Sequence, residues 1–159
     1  MSIHNKFRQF AINSLSKPRT GALATADTRG NPHVATVYCI ADSQLNLYFT
    51  TRTAGRKYSN LMRRSTVAMA ITDELSMSTF QLTGEAVFVD GEDIEHDVIE
   101  KMWRFRFKDP RWPVPPIKLY ESGFARELAV IKITVLEMTY ANFAITPNGH
   151  YSSYFHKVI

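Results

Sequence analysis

The chain has 159 residues, of which 45% are hydrophobic and 21% are charged, as in an ordinary folded domain. This composition excludes a disordered or fibrous chain, and no apolar run reaches the roughly 18 residues that a membrane span needs. The net charge of +4 is compatible with phosphate-bearing partners of any size. The polar N-terminal stretch does not resemble a secretory signal, and the single cysteine, Cys39, cannot form an internal disulfide. We therefore expect one domain over 1–159, without membrane association, in the cytoplasm.

The first half of the chain alternates apolar runs with turn residues. A short N-terminal helix is predicted by apolar residues at helical spacing, which are Phe7, Phe10, Ala11 and Leu15. Three strand-length runs follow at 19–27, 32–41 and 45–51, separated by the polar turns TRGN and DSQ. This pattern predicts an antiparallel meander. The second run is apolar on both faces, as expected for a barrel strand that is also covered on its outside.

A short amphipathic helix is predicted next, with Thr51 or Thr53 as its N-cap and an apolar face formed by Tyr58, Leu61 and Met62. The runs 65–72 and 79–90 predict two further strands, and Gly84 suits a bulge in the second of them.

The remaining chain predicts one helix, one long loop and a closing strand. Residues 91–107 have helical apolar spacing with acidic residues in the first turn. Residues 108–124 contain four of the seven prolines and predict an ordered loop, and 127–145 predicts a closing strand or a bent pair. About six strands, with one helix between the third and fourth, predict a mainly β fold: a small closed antiparallel barrel with peripheral helices.

The junction between the third strand and the following helix is the strongest candidate binding site. Arg56 and Lys57 stand in the first turn of the predicted helix, where the helix dipole makes each cation unfavourable by about 0.3–1 kcal/mol unless an anion lies among them. Gly55 permits close backbone approach to such an anion. The nearby hydroxyl groups belong to Thr50, Thr51 and Thr53. Either the two cations extend into water, or the junction binds a terminal phosphate.

Other kinds of site are weakly supported. The run WRFRFKDPRW has the composition of a single-strand nucleic-acid platform, but Trp103 and Phe107 are four residues apart on a predicted helix, which favours core packing. The histidines and the cysteine show no metal-ligand spacing, and no nucleophile with a matching base is evident. We expect neither a metal site nor nucleic-acid binding, and any catalysis would depend on a cofactor.

The residues from Gly21 to Val89 resemble the pyridoxamine 5'-phosphate oxidase-like family of split β-barrels that bind flavin mononucleotide (FMN), in particular its short members such as general stress proteins. The matching features are a turn and proline before the second strand, the aromatic-threonine end of the third, and the basic pair that opens the helix. The fifth strand adds Gly84 and Ala86.

This resemblance implies a six-stranded antiparallel split barrel and a homodimer with FMN at the subunit interface. Arg56 and Lys57 would hold the FMN phosphate, and one of two residues on the fifth strand, Thr79 or Gln81, would contact the ring. The other implied contacts are Thr50 and Thr51 near the phosphate, and Thr36, Val37 and Tyr38 along the ribityl chain and ring.

The resemblance also limits the reaction. Vitamin B6 oxidases of the family carry an arginine and histidine motif near the C-terminus, whereas this chain ends NGHYSSYFHKVI, so oxidation of pyridoxamine phosphate is not expected. The implied function is an FMN-dependent oxidoreductase acting on an unknown small substrate, or a non-catalytic flavin-binding, stress or sensor protein. Other relatives bind deazaflavin or haem, and His150 and His156 leave a haem alternative open.

Overall fold

A computed structural model of the protein describes residues 3–89, 100–101, 128–144 and 155–159. The elements in chain order are helix α1 (Ile3–Leu15), strands β1 (Arg19–Ala26), β2 (Pro32–Ala41) and β3 (Leu47–Arg52), helix α2 (Arg56–Leu61), and strands β4 (Thr66–Asp73), β5 (Ser78–Phe88), β6 (Leu128–Asn142) and β7 (Phe155–Lys157). The predicted elements in the first half of the chain are confirmed close to their expected bounds.

The first six strands form a closed antiparallel barrel. Neighbouring strands follow the order β3-β2-β1-β4-β5-β6, and β3 returns to pair with β6 from Leu47↔Ile133 to Arg52↔Leu128. This closure gives hydrogen-bond partners to backbone groups that an open sheet would leave at its edges. The prediction of a mainly β, six-stranded barrel with peripheral helices is confirmed. The short strand β7, which pairs with β6, was not expected from the sequence.

The core fills the barrel because side chains alternate along each strand. The inward-facing residues include Leu23, Phe49, Met69, Leu82 and Ile133, all of them buried. Helix α1 covers one end of the barrel with its buried Ala11 and Leu15, and α2 covers the other end with Leu61.

Gly84 lies at a β-bulge, as predicted. The register between β5 and β6 shifts between Thr83 and Gly84. A Cβ atom at Gly84 would lie 2.5 Å from the carbonyl oxygen of Thr134 and 2.7 Å from Cγ2 of Ile133. The absence of a side chain therefore lets β6 approach closely where the barrel bends.

The turn between β2 and β3 is organised by the carboxylate of Asp42. Its Oδ1 atom accepts the backbone N–H groups of Gln44 and Asn46, and its Oδ2 atom accepts the Asn46 amide at 2.9 Å and the Tyr48 hydroxyl at 3.1 Å. Burial alone would raise the pKa of Asp42, but these hydrogen bonds outweigh it and lower the pKa. Burial and the Asp42 charge raise the pKa of Tyr48 to about 12.

Two predictions need correction or completion. The early part of β2 is not covered on both faces, because Val34 is 63% exposed and Thr36 is exposed. Within the run at 127–145, for which the sequence predicts one closing strand or a bent pair, residues Leu128–Asn142 form the single strand β6.

Much of the predicted helix at 91–107, which carries Trp103 and Phe107, lies outside the described residues, although Glu100 and Lys101 are helical. The proline-rich loop at 108–124 and His150 also lie outside them. Among the residues that the structure describes, no helix is long and apolar enough to cross a membrane.

Candidate functional site

Strands β2 and β3 separate as they approach α2. Their pairing covers only three residue pairs, from Cys39↔Phe49 to Ala41↔Leu47. The earlier part of β2 pairs with β1, while the end of β3 pairs with β6. The two strands therefore diverge and leave a split in the barrel wall, next to the start of α2.

The alternation of side chains divides the predicted binding residues between two environments. Thr36, Tyr38 and Thr50 point outward beside the split, so these three lie on the outer face of the barrel wall. Val37 and Thr51 are buried and point into the barrel, with 4% and 5% of their surface exposed. Any contact from Val37 or Thr51 to a ligand outside the barrel would therefore come from the main chain.

Helix α2 begins at Arg56, and its N-cap is Gly55, not Thr51 or Thr53 as the sequence suggested. Gly55 has an extended conformation, and no side chain within the described ranges caps the helix. Thr51 cannot serve as the cap because it is paired with Ala129 inside the β3–β6 ladder. Since α2 has only six residues, its dipole is small, and the attraction for an anion rests mainly on side-chain charge.

Arg56 and Lys57 stand side by side, and the described residues provide neither of them with a counterion. Arg56 is exposed and Lys57 is half-buried, and neither side chain has a hydrogen bond or ion pair with another residue in the described ranges. The sequence from 43 to 72 contains five cations and no acidic residue. Adjacent unpaired cations repel each other, so a bound dianion would be stabilised here by both charges.

Arg64, which lies just beyond the end of this helix, has a structural contact. Its guanidinium donates to the carbonyl oxygen of Thr28 at 3.0 Å, which links the end of α2 to the turn between β1 and β2. The side chain is nevertheless exposed, as is that of Arg63.

A buried polar contact docks α2 on the barrel. The side-chain amide of Asn60, which is 5% exposed, donates to the hydroxyl of Thr25 at 3.0 Å. The Thr25 hydroxyl in turn donates to the carbonyl oxygen of His33 at 3.5 Å. The ring of Tyr58 packs edge-on against Phe88 with a centroid distance of 5.0 Å.

Sequence reasoning did not find the residues of this contact, because Asn60 and Thr25 are 35 positions apart. His33, at the start of β2, was also not predicted as a site residue. Its Nδ1 atom is buried and has no hydrogen-bond partner within the described part of the chain.

Thr79 and Gln81 share the outer face of β5, but their environments differ. Thr79 is buried, and its hydroxyl lies 3.3 Å from that of Thr72. Gln81 is exposed and lies at the edge of a groove of about 520 Å³ on the outer face of the sheet. The floor of this groove is made largely of four alanines: Ala22, Ala24, Ala68 and Ala70. Gln81 is therefore the more accessible of the two candidates.

The other polar candidates are less suited to chemistry. Burial raises the pKa of Cys39 to about 12, so this thiol is neutral and unreactive at physiological pH. The ring of His156 stacks on Phe7 at a centroid distance of 4.1 Å. The described residues include no group of three histidine, cysteine or acidic side chains that could hold a metal ion.

Comparison with known proteins agrees with this architecture. The model of the family described as pyridoxamine 5'-phosphate oxidase matches residues 6–141. The chain belongs to this family. The earlier resemblance is thereby confirmed, and the family match covers β1 to β6 together with the split and α2.

Solved structures show the same fold in proteins that are named for different roles. General stress protein 26 from Bacillus anthracis has a TM-score of 0.62 and 20% identity, over 87% of this chain and 94% of that one. An F420 reductase has a TM-score of 0.59 and 21% identity, over 78% and 91% of the two chains. The haem storage protein HutZ from Vibrio cholerae has a TM-score of 0.56 and 18% identity, over 82% and 86%.

At these identities, the likeness shows the fold alone. The search among curated proteins found no match.

Proposed function

We propose that the protein binds FMN at the split between β2 and β3. The observation that carries this proposal is the pair of neighbouring cations, Arg56 and Lys57, without a counterion in the described chain and next to the outward hydroxyl of Thr50. A terminal phosphate is a compact dianion that two such side chains can neutralise together. The family match agrees with a flavin cofactor, and the position of the cations favours one that ends in a phosphate.

Outward-facing residues of β2, beside the split, and of β5, on another part of the barrel wall, fit the remainder of FMN. Thr36 and Tyr38 offer hydroxyl groups on the same outer face as Thr50, where they suit a polyhydroxyl chain. Gln81 offers both amide donors and a carbonyl acceptor, which suit the polar edge of a flavin ring, with Thr79 as the alternative contact. When bound, the flavin would supply the capacity to accept and return a pair of electrons. This chain's residues would bind and orient it.

The assembly that we propose is a homodimer with FMN between the subunits. In support, the outer face around the groove combines the flat alanine floor with Val34, which is 63% exposed. Small apolar side chains allow two sheets to approach closely, and an exposed apolar surface is stabilised when a second copy covers it. We place this dimer in the cytoplasm, where the unpaired thiol of Cys39 would remain reduced.

The proposed activity is that of an FMN-dependent oxidoreductase acting on a small molecule, and a non-catalytic flavin-binding protein is the alternative. The two are separated by mixing the FMN-loaded protein with reduced nicotinamide cofactors and following flavin absorbance and turnover. An enzyme would exceed the rate of free FMN at the same concentration, whereas a binder would not. A deazaflavin is the alternative cofactor, since an F420 reductase shares the fold.

Binding of FMN is tested first on the wild-type protein. We expect purified protein to be yellow or to become so with one equivalent of FMN per chain, and to release free flavin on denaturation. Saturating FMN should raise the melting temperature, because a ligand that binds only the folded state stabilises it by about 2.7 kcal/mol at one hundred times its dissociation constant. A colourless protein with an unchanged melting temperature would refute the proposal.

A further inference from the structure

The end of α2 opposite its two cations is fixed by one buried hydrogen bond. Asn60 is the last residue but one of the helix, and its amide donates to the Thr25 hydroxyl at 3.0 Å. Both residues are at most 5% exposed, so neither can exchange this partner for water without movement of the helix. The bond therefore specifies how α2 sits on the barrel and how it is turned about its axis.

Besides this buried bond, the described residues hold α2 through the exposed bond from Arg64 to the Thr28 carbonyl oxygen and through less directional contacts. The first residue of α2 follows a glycine cap in extended conformation that provides no side-chain hydrogen bond. The contacts of Tyr58 with Phe88 and of Leu61 with the core are apolar, and apolar contacts specify direction less strictly than a hydrogen bond. Because the helix has only six residues, a rotation at Asn60 would be transmitted to Arg56 and Lys57.

We propose that the buried pair Asn60 and Thr25 positions Arg56 and Lys57 for the phosphate of the flavin, and thereby sets the preference of the site for phosphorylated over unphosphorylated flavin. The inference rests on the proposed function. Thr25 extends the connection to β2, because its hydroxyl donates to the His33 carbonyl at 3.5 Å. The pair thus links α2, which would hold the phosphate, to the strand whose Thr36 and Tyr38 face the split.

The test compares the affinities of FMN and riboflavin, which differ only by the phosphate, and uses their ratio as the readout. We expect Thr25→Val and Asn60→Leu, which keep approximate shape but remove the bond, to lower this ratio tenfold or more. Riboflavin affinity should change by less than about twofold. Thr25→Ser keeps the hydroxyl and should keep the ratio of the wild-type protein.

The double variant Thr25→Val with Asn60→Leu separates positioning from stability. Each single variant leaves a buried polar group without its partner, whereas replacing both partners by apolar groups can be nearly neutral for folding. We expect the double variant to have a higher melting temperature than Thr25→Val alone, because it leaves no buried Asn60 amide without a partner, while its ratio stays low. This variant also provides the test if a single variant does not fold.

Two outcomes would overturn the inference while leaving FMN binding intact. One is an unchanged ratio in the folded variants, and the other is a ratio that recovers in the double variant together with stability. A wild-type protein that binds FMN no better than riboflavin would instead refute the phosphate site itself, and this inference with it.

Discussion

Substitution of Gly84 by alanine tests how closely β5 and β6 approach at the bulge. The added methyl group would lie 2.5 Å from the backbone oxygen of Thr134 and 2.7 Å from Cγ2 of Ile133, both on a strand that is held on two sides in the closed barrel. Overpacking of this kind costs about 1–3 kcal/mol, while removing a glycine from a strand regains about 0.5–1 kcal/mol. Because the closer contact is with a backbone oxygen, the overpacking cost should lie in the upper part of its range, about 2–3 kcal/mol; subtracting about 1 kcal/mol for the glycine, we expect Gly84→Ala to lower the free energy of unfolding by about 1–2 kcal/mol.

Urea denaturation followed by tryptophan fluorescence, without added flavin, measures this change. A loss of that size corresponds to a decrease of about 2–8 °C in the melting temperature of a domain of this length. The matched control is Glu85→Ala, at the next position of β5 with an exposed side chain, for which we expect a change within about 0.5 kcal/mol. A Gly84→Ala variant as stable as the wild-type protein would refute the close approach of the two strands.

Two further predictions concern the ionisable groups of β2 and the turn that follows it. Because hydrogen bonds lower the pKa of Asp42 in the folded state, its contribution to stability is present above the unfolded-state pKa of about 4 and is lost as the pH falls through the folded-state value. We therefore expect Asp42→Asn to cost more stability at pH 7 than at pH 3, in parallel urea titrations, and an equal cost at both would contradict this role. The thiol of Cys39, with its pKa raised to about 12, should not react with a thiol reagent at pH 8 until the protein unfolds, and rapid labelling of folded protein would show that it is accessible.

Local sequence signals predicted the elements well where each strand pairs with a segment that is close to it in sequence. The bounds of β2, from Pro32 to Ala41, were predicted because a proline-containing turn precedes it and polar turn residues follow it. The bulge at Gly84 was also predicted, since a glycine inside an otherwise regular strand has few other roles. Composition and periodicity carry this information without reference to distant residues.

The remaining features depend on residues that are far apart in sequence. The pairing of Thr51 with Ala129 in β6 removes it from the cap of α2, and the sequence around Thr51 does not show this. The docking of α2 through Asn60 and Thr25, and the short strand β7, likewise follow from tertiary contacts. The cations at the start of α2 were recognised because their chemistry is local, whereas the split beside them is a consequence of strand pairing.

The most direct test of phosphate recognition measures FMN and riboflavin binding by the wild-type protein and by the variant Arg56→Ala with Lys57→Ala. Charged hydrogen bonds contribute about 1.5–3 kcal/mol each, so losing two should weaken FMN binding by about two to four orders of magnitude. Arg63→Ala is the matched control, since it removes an exposed cation just beyond the other end of the helix and leaves the bond from Arg64 to the Thr28 carbonyl oxygen in place. We expect riboflavin affinity to change little in either variant and FMN affinity to fall only in the first. An equal loss for both ligands, or an FMN affinity that survives the loss of Arg56 and Lys57, would contradict a phosphate site at the start of α2.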